Sequence, residues 1–124
     1  VNLLWVLIGG AAGASARFLI DRAVQRAQAT EFPWGTFAVN TLGCLLVGVL
    51  TGAMTAQVAS ERVYALVGTG LCGALTTYST FAWETVHLAR SGQTVRAAGS
   101  AVSTVLAGLG AVLIGMIVAR VLWP

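Results

Sequence analysis

The stretch Phe32–Ser60, FPWGTFAVNTLGCLLVGVLTGAMTAQVAS, is 29 residues long and contains no charged side chain. A helix crosses the hydrocarbon core of a bilayer with about 20 apolar residues. Pro33-Trp34-Gly35 reads as loop, and the remainder predicts a membrane helix over 36–56. Thr36, Asn40, Gly43, Thr51, Gly52 and Thr55 gather on one side of that helix. Small and polar residues on one face are what a helix in lipid turns toward other helices.

Working outward, three further runs lack charge: Val1–Ala16, Val63–Trp83 and Ala97–Ala119, of 16, 21 and 23 residues. With the first they take up 89 of 124 residues. The whole chain is 57% hydrophobic and 9% charged, with a mean hydropathy of +0.85. A soluble domain carries roughly 25% charged residues, so a soluble enzyme, a nucleic-acid binder and a disordered tail are poor readings. The expectation is an all-α membrane protein, one domain over 1–124, with spans near 2–22, 36–56, 63–89 and 95–123 joined by short loops. Trp5, Trp34, Trp83 and Trp123 lie at or near the expected helix ends, where amphipathic rings favour the interface. The first run lacks a basic leader and continues directly into Arg17-Phe18-Leu19, so it reads as a retained helix and not a cleaved signal.

The positive charge comes from seven arginines, scattered through loops and helix ends with no phosphate-tracking cluster. Cys44 and Cys72 lie inside apolar runs, form no CxxC, and read as packing residues. No nucleophile–base pair or metal-ligand set is visible, so an enzyme is not expected.

The fourth span is sorted: Ser100, Ser103, Thr104, Ala107, Gly108, Ala111 and Gly115 fall on one side. Val102, Val105, Leu106, Leu109, Leu113 and Met116 fall largely on the other. The first span offers Gly9, Gly10, Gly13 and Arg17. These faces are helix contacts or, where they carry hydroxyls and Asn40, a water-accessible polar track. The third span is different. Gly68, Gly70 and Gly73 precede Leu75-Thr76-Thr77-Tyr78-Ser79-Thr80-Phe81, a poor continuous helix. Irregular backbone at membrane depth persists only where protein or water satisfies it, and a broken helix frees carbonyls toward cations. The alternative is a hydroxyl-rich packed helix. Gly68–Gly73 also fits GxGxxG, but it lies within a span and no acid follows at the required offset. Arg17 either pairs with Asp21, snorkels, or attracts anions to a vestibule. Glu84 and His87 read as an interfacial pair. No span centre carries a carboxylate, which argues against a proton-coupled pump.

Three stretches resemble the Fluc fluoride channels, the CrcB family: Gly9-Gly10-Ala11-Ala12-Gly13-Ala14-Ser15-Ala16-Arg17, Pro33–Gly43, and Gly70–Glu84 with its Thr-Thr-Tyr-Ser-Thr-Phe core. The resemblance implies an antiparallel dimer with two pores, passive and fluoride-selective export from the cytoplasm, and relief of fluoride toxicity in a bacterial inner membrane. It implies a broken third helix whose carbonyls at Gly73 and Thr76 hold a structural sodium ion at the dimer interface. By motif position the ion path falls on Asn40, Tyr78, Ser79, Thr80 and Phe81, joined by Ser103 and Thr104, with Arg17 at the vestibule. Tyr78 departs from the family pattern, which has Phe there.

The residues fit such a role on physical grounds. Fluoride holds its water tightly, so a pore must offer replacement donors. Asn40 supplies an amide and Ser79 and Thr80 supply hydroxyls, while aromatic ring edges are positively polarised. None is a fixed cation, which keeps binding weak enough for exit. The partners expected are fluoride, lipid and a second subunit, with no nucleic acid. Arg17, Arg22, Arg26, Arg90 and Arg96 bias one side and only Arg62 and Arg120 the other. That bias keeps a heterodimer with an oppositely biased paralogue open beside the homodimer. The competing readings are a small dimeric multidrug or cation transporter, and a non-conducting subunit of a membrane complex.

Overall fold

The structure is a computed structural model that describes residues 2–27, 32–76 and 78–124. Every element among these residues is helical: α1 (Asn2–Ala27), α2 (Trp34–Thr55), α3 (Glu61–Val63), a π-helical segment (Tyr64–Cys72), α4 (Gly73–Leu75), α5 (Ser79–Arg90) and α6 (Thr94–Leu122). Three helices are long and apolar enough to cross a membrane: Leu3–Ala27 of α1, Trp34–Thr55 and Thr94–Leu122. At 1.5 Å per residue the 22 residues of α2 reach about 33 Å, just more than the roughly 30 Å hydrocarbon core. α1 runs to Ala27, beyond the expected end at residue 22, because Ala23, Gln25, Arg26 and Ala27 are strong helix formers.

The third hydrophobic run is not one helix. The amide of Gly73 reaches back to the carbonyl of Gly68, five residues earlier, and so continues the wide π-helical turns. Thr76 then leaves the helix with φ −76° and ψ 154°, and Tyr78 returns to helical angles before α5 begins.

Packing is inverted relative to a water-soluble bundle. The buried positions are mostly small: Gly9 and Gly13 on α1, Gly48 and Ala53 on α2, Gly108, Ala111, Gly115 and Ala119 on α6. The exposed ones are large: Leu3, Leu4, Leu7, Phe18 and Leu19 on α1, and Val102, Val105, Leu106, Leu109 and Leu113 on α6. Lipid tails accept that surface, and small residues let helix backbones approach. A Cβ at Gly9 would collide with the carbonyl oxygen of Leu66, and one at Gly13 with that of Leu71. These approaches seat α1 on the π-helical segment. Likewise a Cβ at Gly48 would collide with the carbonyl oxygen of Val112, and one at Gly115 with that of Leu45, so α2 and α6 lie backbone to backbone.

Two links end in the same device. After α5, Gly92 adopts φ +81° while its N–H bonds Ala89 and that of Gln93 bonds Leu88, both through their carbonyls. After α2, Gln57 adopts φ +60° while its N–H bonds Met54 and that of Val58 bonds Ala53. Both are Schellman endings, which favour glycine at the left-handed position. Phe32, Trp34 and Phe37 cluster at the start of α2, with ring centroids 4.5 to 6.1 Å apart.

Candidate functional site

The break in the third run opens onto a cavity of about 520 Å³. α2 lines it with Asn40, Gly43, Cys44 and Val47, the π-helical segment with Gly68 and Cys72, and α4 with Gly73. Thr76 and Tyr78 contribute from the break, Phe81 from α5, and Thr104, Val105, Gly108, Leu109 and Val112 from α6. The lining is mainly apolar, with a few polar groups converging on it, the usual composition of a ligand-sized site.

The local chain explains the convergence. Glycine at position 43 leaves room for the methyl of Thr76, which a Cβ there would strike. Thr76 donates both its N–H (3.0 Å) and its hydroxyl (2.9 Å) to the carbonyl of Cys72. The hydroxyl is therefore committed to its own helix. At ψ 154° the Thr76 carbonyl turns away from the helical direction. A helix end leaves its last carbonyls without intrahelical partners, and Gly73 and Thr76 at this end both line the cavity. Tyr78 is 81% exposed, with its ring centroid 6.3 Å from that of the half-buried Phe81 at a tilt of 44°.

Six of the residues singled out in the sequence therefore share one cavity: Asn40, Gly73, Thr76, Tyr78, Phe81 and Thr104. Others do not line it. Ser103 is exposed on α6, Thr80 is exposed on α5, and Arg17 is half-buried on α1. Ser79 opens α5, but its side chain lies outside the described residues, as does Thr77. Ser100, one turn before Thr104, is only 1% exposed, and its hydroxyl has no partner among the described residues.

The charged pairs differ from expectation. Glu84 does not pair with His87: its carboxylate accepts a hydrogen bond from the hydroxyl of the buried Thr36. His87 stacks on Trp83, centroids 4.9 Å apart and 6° from parallel. Asp21 sits against Gly35, where a Cβ would strike its carboxylate, and Gln25 accepts the Gly35 N–H at 2.9 Å. Both carboxylates thus gather at the positive end of α2. Helical periodicity carries no sign of the Thr36–Glu84 contact, because the two residues are 48 positions apart.

Apolar helices with a small-residue core and an open, sparsely polar cavity define a small helical membrane protein. Residues 4–116 match the family described as CrcB-like protein, Camphor Resistance (CrcB). The chain belongs to that family. It is 51% identical over 123 residues to a protein of Streptomyces avermitilis named fluoride-specific ion channel FluC 1, covering 99% of each chain. A protein of the same name from Frankia casuarinae is 52% identical over 128 residues, again covering 99% of each. Another from Thermobifida fusca is 45% identical over 116 residues, covering 94% of this chain and 93% of that one.

Proposed function

We propose that this chain is a subunit of a fluoride-selective channel that lets fluoride leave the cytoplasm passively and so lowers its toxicity. The observation that carries the reading is identity above 50% along almost the whole chain to proteins named for that activity. The cavity supports it. Asn40 offers an amide, Thr104 a hydroxyl, and Tyr78 and Phe81 polarised ring edges, with no fixed cation among the lining residues. Such groups replace part of an anion's hydration without trapping it.

In this reading the pieces from Glu61 to Leu75 and from Ser79 to Arg90 make one broken crossing, the third of four. So few helices cannot enclose a pore alone. A second subunit, antiparallel and either identical or a paralogue, completes two pores in a bacterial inner membrane. Ser79, Thr80 and Ser103 then belong to the path outside the cavity of one subunit, and Arg17 faces its vestibule.

A structural sodium ion fits the break. Gly73 and Thr76 both line the cavity, and carbonyls released by an unwound helix are the neutral hard donors that sodium takes in membrane proteins. Among the described residues no group of three or more His, Cys, Asp or Glu is placed to hold a metal, and a carbonyl site needs none. The carbonyls of Gly73 and Thr76 from two subunits would hold the ion, which would supply rigidity and positive potential between the pores.

Bacteria stripped of their own fluoride exit route and given this chain should regain growth in fluoride, while Asn40→Ala should restore it poorly. Growth no better than with an empty vector, despite membrane-inserted protein, would count against the proposal.

A further inference from the structure

We infer that Cys44 and Cys72 together form a binding site for a soft, thiophilic metal cation inside the cavity. The two cysteines come from different elements, α2 and the π-helical segment, yet line the same space, and neither is in a disulfide. Thr76 ties the backbone segments that carry them. Gly43, next to Cys44, takes the methyl of Thr76, and Thr76 bonds twice to Cys72, one turn earlier. The Cys44 sulfur lies 3.3 Å from where a Cβ of Gly108 would stand, and Gly108 also lines the cavity. Cys44 is half-buried and Cys72 is 2% exposed, so a bare ion entering the cavity reaches what a bulky reagent does not.

Chemistry separates this site from the fluoride path. The polar groups around it, Asn40, Thr76 and Thr104, are neutral hard donors and acceptors that compete poorly for a soft ion, whereas sulfur ligands select one. Binding is not a redox step. Each S–H bond breaks, its proton passes to water, and the sulfur's electron pair forms the bond to the metal. A mercury(II) ion that takes both sulfurs releases two protons and loses its own charge to the two thiolates. It then fills the cavity beside Asn40. Only the flux arm of the test below rests on the fluoride-channel reading.

The probe is mercuric ion, added to the purified chain in detergent and in proteoliposomes. Bound metal and remaining thiols are counted by elemental analysis and thiol titration. One mercury per chain should abolish both thiols and resist a glutathione wash. Cys44→Ala and Cys72→Ala should each lose their mercury in that wash, and the double variant should bind none. Two mercury ions per chain, or single variants that retain the metal as firmly as the native chain, would overturn the shared site. In liposomes, mercury should abolish most of the fluoride efflux of the native chain. Each variant is compared with its own untreated rate, and Cys44→Ser with Cys72→Ser provides a second thiol-free chain. Equal block in the thiol-free chains would also overturn the proposal. An untreated native chain that carries no fluoride would instead count against the channel reading, and the mercury stoichiometry would still report on the thiols.

Discussion

Tyr78 is the residue at which the proposed ion path departs from the Phe that the resemblance implies. Its ring stands beside Phe81 and is largely exposed, so the hydroxyl is not needed to fill space within one subunit. The positively polarised ring edge is common to Tyr and Phe. Tyr78→Phe should therefore retain or raise fluoride flux in liposomes, and a large loss would show that the hydroxyl takes part. Asn40 differs in that its side-chain amide carries two N–H donors. Losing one hydrogen bond to an ion costs about 1.5–3 kcal/mol, so Asn40→Ala should slow efflux by about tenfold or more. An unchanged rate in initial-efflux recordings would remove Asn40 from the path. Both residues could be picked out in the sequence because an amide and a polar-aromatic run are rare inside apolar stretches. Ser103 shows the limit of that reasoning: it shares the small side of α6 by spacing, yet lies exposed while Thr104 lines the cavity. One hundred degrees of helical rotation separate neighbours, and only the position of α2 decides which of them faces inward.

At the scale of elements, close glycine contacts carry the packing. Gly48→Val would drive a branched side chain into the backbone of α6, and overpacking of this kind costs typically 1–3 kcal/mol. Gly99→Ala meets nothing within 4 Å and replaces a poor helix former, so it should be neutral or mildly stabilising. Thermal unfolding in detergent should separate the two variants, and equal melting temperatures would contradict the packing. Gln57 holds a left-handed conformation that disfavours side chains by roughly 1–2 kcal/mol. Gln57→Gly should therefore raise the unfolding midpoint, and a fall would show that the side chain earns its place by another contact. The helices themselves were legible because uncharged runs and terminal arginines mark spans directly. The π-helical turns were not, and the segment that forms them meets the glycines of α1 at the carbonyls of Leu66 and Leu71, a contact between elements that no single-helix pattern specifies. The Thr36–Glu84 bond was likewise hidden, because it joins two helices whose relative rotation no single-helix pattern specifies.

For the whole molecule, the asymmetry of arginines sets a test of assembly. In the proposed four-crossing reading Arg17, Arg22, Arg26, Arg90 and Arg96 fall on one side and Arg62 and Arg120 on the other, and the positive-inside rule then favours both termini outside the cytoplasm. Tags at the two termini, probed with an impermeant reagent, should show that orientation dominating. A uniform orientation would exclude a dual-topology homodimer and point to a paralogous partner. An even mixture would favour the homodimer. Transport itself is tested most directly by fluoride efflux from proteoliposomes holding the purified chain, beside vesicles loaded with chloride. The channel reading predicts rapid, passive fluoride release with chloride retained. Fluoride release no faster than from empty liposomes, or chloride leaving as readily as fluoride, would contradict it.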